Sequence, residues 1–221
     1  MIGEKRAVIF DLDGTLLDTL EDLADSGNAV LRAHGFEPHP VDAYRTFIGN
    51  GMINLVRDIF PEKHRPEEGA ETNAILDEYR EAYERNWKNT TKPFSGIPEL
   101  LEELQSLGIP IGVMSNKAHD FTLKCVETFL PKWEWNIVLG AREGVPKKPD
   151  PTAALEVAAA AGATPSDCYF IGDSDVDMMT AVNAGMHAVG VSWGFRPVDE
   201  LLEHGATAIL ETPSDLLSLL A

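Results

Sequence analysis

The chain has 221 residues, 44% of them apolar, enough for one large domain or a domain carrying an insertion around a packed core. Its 18 basic residues face 36 acidic ones, and the net charge of −18 argues against nucleic acid or an anionic membrane as a partner. No apolar run approaches the ~20 residues that span a bilayer, and the N-terminus lacks a basic region followed by a long apolar core, so a soluble cytoplasmic protein is expected.

In chain order, Ala7-Val8-Ile9-Phe10 comes first, a continuous apolar run that reads as a buried strand of a parallel sheet. It runs straight into Asp11-Leu12-Asp13-Gly14-Thr15. Ligands of such sheets sit beyond the carboxyl ends of the strands, so Asp11 and Asp13 leave the core where chemistry is usually placed. Two unpaired carboxylates buried there need a cation, a shared proton or a basic partner. Taken alone, the same residues also suit an ordinary turn, with Asp as a local acceptor and Gly permitting positive φ.

Helical spacing follows, with Leu20, Leu23, Ala24, Ala29, Val30 and Leu31 on one face and Gly35 as a natural stop. Further helical stretches are predicted over Val41 to Ile48, Met52 to Phe60 and Pro66 to Trp87, so that residues 16–92 read as an all-helical module. Beyond Phe94-Ser95-Gly96-Ile97-Pro98, helices alternate with short apolar strands at Ile109 to Met114, Asn136 to Leu139, Cys168 to Ile171, Ala188 to Val191 and Thr207 to Leu210. That alternation predicts an α/β parallel sheet with helices on both faces. The first strand cannot bury both faces alone, so the core is discontinuous, residues 1–15 and 93–221, with the helical module inserted as a cap domain. The two cysteines, Cys125 and Cys168, lack the spacing of a zinc site or a disulfide framework and read as buried thiols.

Three later strings carry chemistry. Val113-Met114-Ser115-Asn116-Lys117 puts a hydroxyl and an amide at a strand-to-helix turn, either to cap the helix after His119 or to hold a phosphoryl oxygen. Lys147-Lys148-Pro149-Asp150-Pro151 reads as a solvated loop or, since Pro149 biases Lys148 to an extended backbone, as a fixed ammonium. Phe170-Ile171-Gly172-Asp173-Ser174-Asp175-Val176-Asp177 could be an acidic helix N-terminus, and it lacks the Gly and distal Glu of a calcium loop.

Together, Asp11 to Thr19 (DLDGTLLDT), Ser115, Lys148 before Pro149 and Gly172-Asp173 with Asp177, in this order at the ends of predicted strands, resemble the haloacid dehalogenase-like hydrolase superfamily. Most of its members are Mg-dependent phosphatases. The resemblance implies a Rossmann-like parallel-sheet core, its first strand mid-sheet between the second and fourth core strands, with a small all-helical cap. It implies that Asp11 is the nucleophile and that Asp13, protonated at the start, is the acid and then the base. Thr15, Ser115, Asn116 and Lys148 would bind phosphate or substrate. Asp11, the backbone carbonyl of Asp13 and Asp173 would hold Mg²⁺, with Asp177 an acid behind them and Asp175 capping the helix.

Dehalogenating and phosphonate-cleaving members of the resembled superfamily lack the second acid, so Asp13 favours phosphate-ester hydrolysis or phosphoryl transfer. Thr46-Phe47-Ile48-Gly49-Asn50-Gly51 and Val191-Ser192-Trp193-Gly194-Phe195-Arg196 are similar to segments of phosphoglycolate phosphatases. Gly49 and Asn50 are thus candidate substrate contacts or an ordinary interhelix turn, and Arg45 and Arg57 either meet a substrate carboxylate or lie exposed on helices. The expected function is hydrolysis of a small phosphorylated metabolite, 2-phosphoglycolate first, through an aspartyl-phosphate, by a monomer or small homo-oligomer. The alternatives are a sugar phosphomutase or pyrophosphatase of the same superfamily, or a catalytically silent binding module, against which the intact motifs argue.

Overall fold

The fold is that of a computed structural model, which describes residues 6–220. Residues 1–5 and 221, part of the predicted core, lie outside the described residues. The first apolar run is strand β1 (Ala7–Phe10), followed by β2 (Leu17–Asp18). The helical stretch is α1 (Leu20–Ala33), α2 (Tyr44–Phe47), α3 (Met52–Asp58) and α4 (Ala70–Asn86), and the chain returns through β3 (Lys92–Pro93). Then come α5 (Ile97–Ser106), β4 (Ile111–Ala118), α6 (His119–Phe129), β5 (Ile137–Ala141), α7 (Thr152–Ala161), β6 (Cys168–Gly172) and α8 (Asp175–Ala184). β7 (His187–Val191), α9 (Val198–Glu203), β8 (Ala208–Leu210) and α10 (Asp215–Leu219) complete the chain. It divides into two units, Met1–Leu17 with Pro93–Ala221, and Asp18–Lys92.

The first unit holds a six-stranded sheet in the order β5-β4-β1-β6-β7-β8, every pairing parallel. β1 lies mid-sheet between β4 and β6, the flanking expected of the second and fourth core strands. The winding direction changes at β1, and a crevice opens at such a point beyond the strand ends. β1 carries no polar position because both its faces are covered. Ala7 and Ile9 pack in one cluster with Ala154 and Val157 of α7 and Met178 and Ala181 of α8. The alternate residues, Val8 and Phe10, point to the opposite face and are buried as well.

Predicted strand bounds shift most at β4, expected over 109–114. It begins at Ile111 and continues through Ser115, Asn116 and Lys117 to Ala118, its register against β5 slipping between Met114 and Ala118. The polar residues that suggested a strand end lie inside this irregular stretch, which re-aims side chains without ending the pairing.

In the second unit α1 packs on α4, and Tyr44, Tyr79 and Tyr83 are fully buried. Asp22 of α1 is buried too. Its carboxylate accepts hydrogen bonds from the backbone N–H (3.0 Å) and hydroxyl (2.8 Å) of Thr90 and from the N–H (3.0 Å) and hydroxyl (2.7 Å) of Thr91. Helix α4 starts at Ala70 rather than near Pro66, because Gly69 enters it at φ +109°. No helix among the described residues is long and apolar enough to cross a membrane.

Cys125 and Cys168 are both buried and neither is in a disulfide, and burial pushes the Cys168 thiol up to about 11. A thiolate is the reactive form, so both cysteines are expected to ignore an aromatic disulfide reagent at pH 8 in the native protein and to react in denaturant. Fast release of the reagent's chromophore by native protein would contradict this burial.

Candidate active site

Register brings the chemistry to one level. Phe10 pairs with Val113 on one side and Ile171 on the other, and the Asp11 N–H donates to the Ile171 carbonyl at 2.9 Å. Asp11 and Asp173 therefore leave the ends of β1 and β6 together, close to the level of the Ser115 segment inside β4. Lys148 enters from the loop between β5 and α7, its Nζ 2.8 Å from Asp11 Oδ1 and 2.6 Å from Asp177 Oδ1. Of the two adjacent lysines it is the buried one, while Lys147 is exposed. Asn116, expected at the substrate, braces the backbone of Lys148: the Lys148 N–H donates to Asn116 Oδ1 at 2.9 Å, and Asn116 Nδ2 donates to the Lys148 carbonyl at 3.3 Å.

Asp173 is fixed on every side. Thr15, expected to bind phosphate, donates its hydroxyl to Asp173 Oδ1 at 3.1 Å, and the Phe195 N–H donates to Oδ2 at 2.8 Å. The Trp193 indole donates to the Thr15 carbonyl at 3.1 Å, so the loop after β7 reaches Asp173 twice. Two glycines make room. A Cβ at Gly14, where φ is +85°, would stand 2.2 Å from Asp173 Oδ2, and one at Gly194 would stand 2.1 Å from Asp173 Cβ. Asp177 lies behind, its Oδ2 accepting from the N–H groups of Asp173 (3.2 Å) and Ser174 (3.0 Å) and from the Ser174 hydroxyl (2.5 Å). This corrects the expected cap: Ser174 is the N-cap of α8 and Asp175 merely its first residue.

Asp11, Asp173 and Asp177 offer oxygens that lie within 4.8 Å of one another, all buried. Burial raises the Asp11 carboxyl to about 7, with Lys148 opposing the rise and Asp177 adding to it. Asp173 is pushed up by burial first and then by Asp177 and Asp11. Burial works against the charge of Lys148, but Asp11 and Asp177 outweigh it and hold the ammonium above its ordinary range. Asp11 Oδ1 is ion-paired by proximity, yet it has no aligned hydrogen-bond donor. Lys148 offsets only part of this charge, and a compact all-oxygen set with an unused acceptor suits a hard divalent ion. The residues present therefore fit a metal.

The Asp13 side chain stands outside that cluster. Lys117 Nζ donates to its Oδ1 at 3.0 Å and its Oδ2 at 3.1 Å. An ammonium thus holds the Asp13 carboxyl group at both of its oxygens. Lys117 was missed as a site residue; its signal was a lysine inside an otherwise buried strand, next to Ser115 and Asn116. The helix-capping reading of that string does not hold, because the N-cap of α6 is Ala118, while Ser115 Oγ accepts from the Lys117 N–H at 3.3 Å.

In the second unit, Gly49 (φ +117°) and Asn50 form the turn between α2 and α3, where the Asn50 carbonyl accepts from Asn54 Nδ2 at 3.1 Å. Arg45 pairs with Asp42 and Arg57 with Glu68.

A family model described as haloacid dehalogenase-like hydrolase matches residues 8–191. The chain is 30% identical to a phosphoglycolate phosphatase of Psychrobacter arcticus, over 98% of this chain and 96% of that protein. It is 31% identical to an N-acetylmuramic acid 6-phosphate phosphatase of Pseudomonas aeruginosa, over 97% and 94% of the two chains. A solved structure from Lactobacillus delbrueckii subsp. bulgaricus, of a protein proposed to be a phosphoglycolate phosphatase, superposes with a TM-score of 0.89 at 30% identity, over 98% of both chains.

Proposed function

Because this chain belongs to the haloacid dehalogenase-like hydrolases, in the phosphoglycolate phosphatase-like subgroup, and is a phosphoric monoester hydrolase, we propose that it cleaves a small organic phosphate, 2-phosphoglycolate first, through a phosphoryl group carried on Asp11. The observation that carries this reading is the buried Asp11 carboxylate with the Lys148 ammonium 2.8 Å away, backed by Asp173 and Asp177.

Asp11 attacks phosphorus in line with the ester oxygen, and the ester P–O bond breaks as the new bond forms. The proton on Asp13 passes to the departing oxygen. Water then attacks the phosphorus of the aspartyl-phosphate, the Asp13 carboxylate takes its proton, and the bond to Asp11 breaks to free inorganic phosphate. Ser115 and Lys148 hold the phosphoryl oxygens and offset their charge. Asp11, the backbone carbonyl of Asp13 and Asp173 would hold a divalent ion, Mg²⁺ first. When bound, it supplies positive charge to the transferring group and reverses locally the field of a strongly acidic chain.

A second reading, a sugar 6-phosphate as substrate, rests on the relative that is 31% identical over 217 residues. The test is a panel of phosphoglycolate, N-acetylmuramic acid 6-phosphate, hexose phosphates and pyrophosphate, assayed with Mg²⁺ and with a chelator. Phosphoglycolate is expected to lead in kcat/KM by about tenfold or more, a margin within reach of modest differential binding, with turnover lost on chelation. A leading sugar phosphate would replace the first reading with the second; equal rates would remove both, and chelator-resistant turnover would remove the metal.

A further inference from the structure

We propose that Lys117 is a positioning residue for protonation of the leaving group: its ammonium grips the Asp13 carboxyl by both oxygens and receives the carboxylate formed when Asp13 gives up its proton. The inference rests on the reading of Asp13 as leaving-group acid, and the test separates the two.

The grip is two-sided, 3.0 Å to one oxygen and 3.1 Å to the other, and the Lys117 side chain is only 2% exposed. A desolvated ammonium is costly unless paired, so stability alone gives no reason to prefer lysine to an apolar residue of the same length. What lysine adds is orientation. Holding both oxygens sets the plane of the carboxyl group, and displacement of a reacting group by as little as an ångström is expensive in rate. Lys117 is itself anchored, since its carbonyl accepts from the Thr122 hydroxyl of α6 at 3.3 Å and its N–H donates to Ser115 Oγ at 3.3 Å. Two neighbouring residues of β4 are thus directed at different parts of the site, Asn116 at the backbone of Lys148 and Lys117 at Asp13. In the step itself, the ester P–O bond breaks, the Asp13 O–H proton passes to the leaving oxygen, and Lys117 keeps its own protons while gripping the carboxylate left behind.

The prediction is a dependence on the leaving group. Because kcat/KM reports the steps up to departure of the alcohol, phosphoglycolate, whose alkoxide needs the proton, is compared with 2,4-dinitrophenyl phosphate, whose phenolate does not. Lys117→Met is expected to lower kcat/KM for phosphoglycolate about a hundredfold, the scale of acid catalysis, and for the aryl ester about tenfold less. Asp13→Asn should show the same split, and adding Lys117→Met to it should not widen the split. Lys117→Arg should restore part of it, and Lys117→Gln serves in place of Lys117→Met if the latter is not recovered folded. Equal losses on both substrates in the Lys117 variants, with a split in Asp13→Asn, would reduce Lys117 to a structural ion pair and overturn the inference. The absence of a split in Asp13→Asn would overturn the role of Asp13 itself.

Discussion

Asp11→Asn is expected to lower turnover by about four orders of magnitude or more and to leave the metal-free protein at least as stable as the original. An amide of the same shape cannot accept the phosphoryl group, and removing a nucleophile generally forfeits most of an enzyme's rate advantage. The effect on stability runs the other way. Asp11 is one of three buried carboxylates whose oxygens lie within 4.8 Å, and burial already raises its carboxyl to about 7. Neutralising it removes repulsion from Asp177 and Asp173, while Lys148 keeps its 2.6 Å contact with Asp177. Rapid acid quenching should trap phosphate on the original protein and none on the variant, and thermal melting without metal should show no loss. Hydrolysis at a near-normal rate by the variant would remove Asp11 as nucleophile.

Lys148→Met is expected to damage both activity and fold. Its ammonium touches Asp11 and Asp177, and the side chains of all three are at most 8% exposed. Breaking a buried pair by removing one partner costs about 3–5 kcal/mol, because the charge left behind has no compensation. Activity should fall about a thousandfold through lost charge stabilisation of the phosphoryl group. A divalent ion supplies positive charge to the same carboxylates, so Mg²⁺ should stabilise this variant more than the original protein. Urea unfolding with and without Mg²⁺ measures this. A variant as stable as the original in the absence of metal would show that Lys148 does not balance the cluster.

These expectations turn on residues that differ in how openly the sequence displays them. β1 was legible because a strand covered on both faces must be apolar throughout, and the acids that follow it could only emerge at its end. Lys148 was legible through the resemblance, which rests on the lysine directly before Pro149 and so singles it out from Lys147. Lys117 was not, nor was the contact of Asn116 with the Lys148 backbone, because the aim of both depends on the slipped register inside β4, which no local spacing announces. The supports of Asp173 were hidden for another reason. Thr15 and Phe195 lie far from it along the chain, and the need for Gly14 and Gly194 arises only once the three segments are in contact. Trp193 and Phe195 stood out only by resemblance; their work is to pin the loop that holds a candidate metal ligand.

The Asp22 clamp on Thr90 and Thr91 bears on how such a chain assembles. It fastens the beginning of the inserted stretch to its end, so that residues 18–92 close on themselves instead of trailing as a slack tether between β1 and β4. For a slack loop, the entropy of bringing the ends together grows by about 0.6 kcal/mol with each doubling of length. A stretch that fastens itself removes that dependence. The sheet meets it as a short link whatever its contents, which leaves the insertion open to growth or exchange while β1 keeps its place beside β4.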